Sequence, residues 1–169
     1  MRAIHLIVLM LTLLLGACGF HLRGHGALAL PFQTLYVKSA NDYAPFITEL
    51  KRTIEANGVQ VTDAPDHAQL TLHIVSEVTD KQILSLSGGG RVREYRLQYR
   101  ISLRAYDSRQ QDWLAAEEIT LRRDFSYDDT QILAKEQEEA LLYQNMRSDA
   151  VQQILRRLNR ARPPQQPEQ

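Results

Sequence analysis

Two sets of side chains in this 169-residue chain could do chemistry, and neither has the makings of a catalytic centre. The first is one thiol: Cys18 is the only cysteine, so it has no disulfide partner within the chain. A thiolate can bind metal, attack an electrophile or accept a covalent modification. The second is a run of guanidinium groups, Arg91, Arg93, Arg96 and Arg100, the first two just behind the Ser87-Gly88-Gly89-Gly90 stretch. Guanidinium presents a rigid fork of donors that grips phosphate or carboxylate in bidentate fashion. One chemistry is therefore modification and the other is anion binding.

The residues before Cys18 decide its chemistry. Residues 6–15 are apolar apart from Thr12, Arg2 supplies a positive end, and Gly16 and Ala17 are small. That pattern is a secretory signal peptide, and ten residues fall short of the ~20 that a spanning helix needs. Leu15-Gly16-Ala17-Cys18 resembles the bacterial lipobox, which implies removal of residues 1–17 and N-acyl and S-diacylglycerol modification of Cys18. The plainer reading is a small hydrophobe in a discarded leader, but a lone thiol in an exported chain is a reactive liability, and acylation removes it. Two membrane signals suffice for stable anchoring. The mature chain would be tethered yet otherwise soluble. Gly19 is not the aspartate that resembles an inner-membrane retention signal, so an outer-membrane location is expected.

Charge adds a constraint on partners. The whole chain balances 20 basic against 20 acidic side chains. Locally, residues 91–109 carry six arginines against Glu94 and Asp107, and residues 124–139 carry six acids against Lys135. Export rules out nucleic acid as the natural partner, which leaves anionic lipid or an acidic protein surface. No enzyme, cofactor or metal site is expected. His21 and His25 are flanked by glycines that argue against a helix to align them, and His67 and His73 read as a turn residue and an outward strand residue. Ser85 and Ser87 form no nucleophile elbow. Glu117-Glu118 and Asp128-Asp129 are adjacent rather than convergent acids.

The elements that must position the arginines are legible from periodicity. Residues 18–30 read as a tether, 31–162 as one domain and 163–169, ending PPQQPEQ, as a disordered tail. A short strand is expected at 33–38. Tyr43, Phe46, Ile47, Leu50 and Ile54 mark an amphipathic helix, with Asn41 and Asp42 as caps, Pro45 in its first turn and Asn57-Gly58 as its stop. A small strand at 59–62 and a turn at 63–66 come next. Leu70, Leu72, Ile74 and Val78 suggest one strand face, continuing towards Leu86 through a kink or bulge near Asp80, with 87–90 as a hairpin tip. Tyr95, Leu97, Tyr99, Ile101, Leu103 and Ala105 then alternate with Arg96, Gln98, Arg100, Ser102 and Arg104. That period of two puts one face in the core and one in water. Residues 113–125 return as a third meander strand, with Ile119 and Leu121 inward. A long helix is expected over 130–161, with Ala140, Tyr143, Ala150, Val151, Ile154 and Leu158 on one stripe that Arg147 interrupts.

Two helices on one face of a mostly antiparallel sheet would leave the arginine face open. On that face Arg91, Arg93, Arg96 and Arg100 read either as a solubilising surface or as a fork for lipid phosphates.

The segments CGFHLRG, LKRTIEANGV, REYRLQYRISL and LAKEQEEALLYQNMRSDAVQQILRRL, in this order, resemble the LPS-assembly lipoprotein family, LptE, also called RlpB. The resemblance covers nearly all of the expected mature chain. It implies an α+β fold, a two-helix, mostly antiparallel four-stranded sandwich. It also implies an anchor in the inner leaflet of the outer membrane, a position as a plug in the large β-barrel of LptD, help in barrel assembly, and lipopolysaccharide binding. The family's basic positions correspond here to Arg91, Arg93 and Lys135; spacing alone also allows Lys135 to pair with Glu139. An accessory adaptor lipoprotein of a lipid ABC transport system is the alternative.

The anchor has a direct test. Mass spectrometry of the mature amino terminus should show an acylated Cys18 as first residue, and Cys18→Ser should abolish acylation and processing there. An unmodified cysteine, or cleavage elsewhere, refutes the assignment.

Overall fold

The computed structural model describes residues 30–163; the expected leader, Cys18, residues 18–29 of the tether and the tail after Pro163 lie outside them. Five strands and two α-helices follow one another as β1 (Thr34–Lys38), α1 (Pro45–Ala56), β2 (Gln60–Thr62), β3 (Leu70–Leu86), β4 (Val92–Tyr106), β5 (Asp112–Ser126) and α2 (Ile132–Arg160). The strands form one sheet in the order β2-β1-β3-β4-β5. The α+β class is as expected, whereas the four-stranded, mostly antiparallel count is corrected to five strands in a mixed sheet. β3, β4 and β5 are the antiparallel meander, but β1 runs parallel to both β2 and β3. The cause is α1: a helical crossover carries the chain back, so the strand after it enters in the same direction.

Local chemistry explains where α1 starts and stops. Pro45 sits in the first turn, where its missing N–H costs nothing. Phe46, Ile47, Leu50 and Ile54 are buried along one face. Gly58, at φ +83°, turns the chain so that its N–H reaches the Glu55 carbonyl at 2.9 Å. Tyr43 does not join the stripe and is 91% exposed. Asn41 and Asp42 are not caps either, since Ala44 holds that position. Asn41 instead accepts the Tyr43 N–H at 3.0 Å and Asp42 the Ser39 hydroxyl at 2.7 Å, building the turn before the helix.

β4 behaves as its alternation predicts: Leu97, Tyr99, Ile101, Leu103 and Ala105 are buried and the residues between them are half-exposed. β3 holds the main surprise. Leu70, Leu72 and Ile74 face the core, but the register shifts between Ile74 and Ser76, and again between Ile83 and Ser85. The kink or bulge expected near Asp80 lies instead on either side of it, at Val75 and Leu84, with a further register shift between Ser85 and Leu86. One extra residue exchanges the faces of everything that follows. Val78, expected inward, is opposite Arg100 on the outer face and 40% exposed. Glu77 and Lys81, opposite Ile101 and Leu97, take the inner face.

Both helices pack on that inner face. α2 buries Met146, Ala150, Val151, Ile154, Leu155 and Leu158. Met146 and Leu155 extend the expected stripe, while Ala140 is exposed because its half of the helix lies over polar residues. Phe46 meets Tyr99 edge-on at 6.2 Å. Ser148 donates to Glu49 at 2.6 Å between the helices. Arg123 to Asp149 at 2.6 Å, an exposed pair of a kind that contributes about 0–1 kcal/mol, and the half-buried pair of Arg157 with Glu117 at 2.7 Å tie α2 to β5. The bulk of the stability is apolar burial, about 1.5–3 kcal/mol for each large side chain.

Adjacent substitutions on β4 test the facing. Ile101 is fully buried, so Ile101→Asp should cost several kcal/mol, enough to unfold a domain of ordinary stability of about 5–15 kcal/mol. Ser102→Asp should shift the thermal midpoint by a few degrees at most. Equal shifts for the two variants would contradict the assignment of faces.

Candidate functional site

The arginine tip is shaped by its backbone. The Ser87 N–H donates to the Arg91 carbonyl at 2.7 Å, the Gly90 N–H to the Ser87 carbonyl at 2.9 Å, and the Arg91 N–H to Ser87 Oγ at 3.1 Å. Gly90 takes φ +76°, a conformation costly for any residue with a Cβ. These bonds leave the Arg91 side chain 77% exposed, its nearest acid Asp129 at 3.8 Å. The Arg93 carbonyl accepts the Tyr127 N–H at 2.7 Å, which docks the tip against the segment joining β5 to α2.

That segment supplies the third basic group. Lys135 is only 15% exposed and reaches Glu138 at 2.8 Å and the Ser126 hydroxyl at 3.3 Å. Its acidic partner is therefore Glu138, one turn on, and not Glu139, which is drawn to Lys81. Between the basic groups Asp128 accepts the Thr130 N–H at 2.9 Å and hydroxyl at 2.8 Å. The Thr130 backbone bond first, then its hydroxyl, hold the Asp128 carboxyl below its usual range, and Lys135 and Arg93 add to the effect. Arg91, Arg93 and Lys135 thus gather around Asp128 and Asp129 at the far end of the sheet.

Arg96 and Arg100 lie apart, along the outer face. Arg96 holds Asp124 with both prongs, at 2.8 and 2.9 Å, so its fork is occupied. Arg100 stands between Val78 and Thr120 and makes no ion pair among the described residues. Two members of the expected array are therefore separated from the tip, one of them already neutralised. His67 ends a short 3-10 turn (Pro65–His67), and His73 faces outward from β3 as expected.

A feature that sequence reasoning missed lies under the first half of α2. Lys81 pairs with Glu139, and its ammonium sits 4.2 Å from the Tyr95 ring centre, with Phe125 and Tyr127 within 6 Å. Tyr95 stacks on Phe125 and meets Tyr127 edge-on. Nearby, Tyr143 donates to the Asp80 carbonyl at 3.0 Å. Tyr99 donates to Glu77 at 2.6 Å, and burial, reinforced by that carboxylate, raises its pKa far above the ordinary phenol value. Only the Val75 bulge brings Glu77 and Lys81 to this side, so no periodicity could have shown it.

Two helices on one sheet face, a charged and open opposite face, and a cationic hairpin tip define an α+β domain that works through its surfaces. The chain belongs to the LptE family of lipopolysaccharide-assembly proteins, whose model matches residues 32–158. It is 26% identical over 158 residues to the LPS-assembly lipoprotein LptE of Pectobacterium atrosepticum, covering 93% of this chain and 85% of that one. Among solved structures it is similar to an uncharacterised lipoprotein B from Nitrosomonas europaea, at 39% identity and a TM-score of 0.69 over 82% of this chain and 88% of the other. It also resembles the rare lipoprotein B from Shewanella oneidensis, at 27% identity and a TM-score of 0.66 over 73% and 92%. No helix among the described residues is long and apolar enough to cross a membrane.

Asp128 gives the site a pH signature. Because folding depresses its pKa, its contribution is present above the ordinary aspartate pKa and is lost as pH falls through the depressed one. Asp128→Ala should therefore lower the thermal midpoint at pH 7, and the gap from wild type should close in acid. A gap independent of pH would mean the carboxylate is not the source.

Proposed function

We propose that this chain is an outer-membrane lipoprotein, anchored through Cys18 after loss of residues 1–17, that plugs the LptD β-barrel, assists its assembly and binds lipopolysaccharide for delivery to the cell surface. In this reading residues 18–30 are the tether, 31–162 the working domain and 163–169 a tail. The observation that carries the lipid part is the gathering of Arg91, Arg93 and Lys135 at the tip. Arg91 is exposed and only loosely held, so its donors are available to a phosphate at little cost. Arg96 and Arg100 would serve as a secondary strip on the outer face, Arg96 only by exchanging Asp124 for the ligand.

A protein partner is supported by a different surface. β1 pairs with β3 only as far as His73, and beyond it Val75, Ile83, Leu84 and Leu86 are 40–58% exposed. Leu133 and Leu141 of α2 add to them at 76% and 55%. Apolar side chains concentrated towards one end of a domain mark an interaction surface, and an unpaired strand edge is a liability that a partner removes. The opposite edge, β5, is protected by Glu117, Glu118, Arg122, Arg123 and Asp124.

Reversing two charges separates these parts. Arg91→Asp with Arg93→Asp should weaken lipopolysaccharide capture about tenfold without altering the thermal midpoint, and added salt should weaken the wild type in the same direction. The double variant should still co-purify with LptD through the broad apolar surface. Unchanged capture at low salt by the folded variant refutes the tip, and a wild-type chain that never co-purifies with LptD refutes the plug.

A further inference from the structure

At the end of the sheet away from the tip, an imidazole stands in register between two cationic side chains. Lys38 on β1 is in register with His73 on β3, and His73 with Arg104 on β4, all on the outer face. Burial first, then Lys38 and Arg104, lower the pKa of His73, since its protonation would set like charges directly opposite across both strand pairs. The acid that reaches this row is Asp112, 3.3 Å from Arg104 Nη2. Arg104 is held in place, its guanidinium 4.5 Å from the Tyr106 ring centre. Its Nε is buried with no hydrogen-bond partner among the described residues.

The surroundings suit an anionic headgroup. One strand repeat towards the tip, about 7 Å away, Ser76 and Ser102 are opposite each other on the same face. One repeat the other way, Tyr36, Thr71 and Tyr106 form an aligned row, lining with Lys38 a cavity of about 350 Å³ that the β4–β5 turn closes. Asp66 and Asp107 also line the cavity, and Asp107 is committed to the Arg109 and Gln111 N–H groups at 2.8 and 3.0 Å. Cations, hydroxyls and two aromatic faces on one shallow surface match a phosphate ester joined to a sugar or glycerol.

We propose that Lys38, His73 and Arg104 form a phosphate site on the outer face of the sheet that takes the headgroup of a membrane amphiphile. A bound phosphate would be met by the charges of Lys38 and Arg104 and would favour the protonated form of His73 between them. The site is distinct from the tip and stands without the reading above.

The test uses the full-length chain in neutral detergent micelles, with the His73 ring titrated by NMR. An anion favours the charged imidazole, so micelles doped with phosphatidylglycerol should raise its midpoint by about one pH unit, and phosphatidylcholine should leave it unchanged. Lipopolysaccharide in place of phosphatidylglycerol tells a glycolipid phosphate from a glycerophospholipid one; a rise with either supports the site. Lys38→Gln removes a like-charged neighbour, so it should raise the unliganded midpoint, keep the fold, and weaken the lipid response about tenfold. Arg91→Asp with Arg93→Asp should leave the response intact. A midpoint that moves with neither lipid, that moves only with inorganic phosphate, or that responds equally in Lys38→Gln overturns the proposal.

Discussion

Burial of one face of β4 is the constraint from which the rest of this structure follows. Leu97, Tyr99, Ile101 and Leu103 are at most 1% exposed, and a strand in the middle of the meander can bury them only if both neighbours pair with it and something covers that face. β3 and β5 supply the pairing, and α1 and α2 the cover. Because both helices are consumed on the inner side, no helix among the described residues is left to cover the other. The open outer face is therefore a consequence of the core, and its arginines suit a sheet face that meets water.

The bulge at Val75 divides the molecule in two. Below it, the inner face of β3 contributes Leu70, Leu72 and Ile74 to a dry core under the second half of α2. Above it, Glu77 and Lys81 face the helix, and the first half of α2 meets them with Glu139 and Tyr143. Aromatic rings, an ion pair and hydrogen bonds replace close-packed aliphatics there. Elements held by exposed polar contacts open at lower free energy than apolar cores, so the tip end is the part of the fold most able to rearrange around a partner. It also carries the exposed Leu133, Ile83 and Leu86.

Electrostatics is distributed to match. On the outer face Arg96 is closed off by Asp124, whereas the tip keeps Arg91 loosely paired and the base keeps Lys38, His73 and Arg104 in mutual opposition. A neutral net charge thus conceals two places where positive charge is held without full compensation, at opposite ends of a strand about 50 Å long.

Much was legible from residue order. The alternation in β4 needs only a period of two, the four buried residues of α1 only a period of 3.6, and the glycine turn only the preference of Gly90 for positive φ; each is a local property that the chain carries wherever it is placed. The segments that resemble LptE were equally readable, and with them the family. Tertiary structure alone decided the rest. A bulge adds one residue without a sequence signature, so the facing of Val78, Glu77 and Lys81 depended on how β3 registers against β4. The partner of Lys135 depended on where β5 delivers Ser126 and on Lys81 having already drawn Glu139. Whether Arg96 was free depended on Asp124, 28 residues away, arriving opposite it. The row of Lys38, His73 and Arg104 joins three strands separated by 35 and 31 positions in the chain, and no local pattern encodes a pairing between residues that distant.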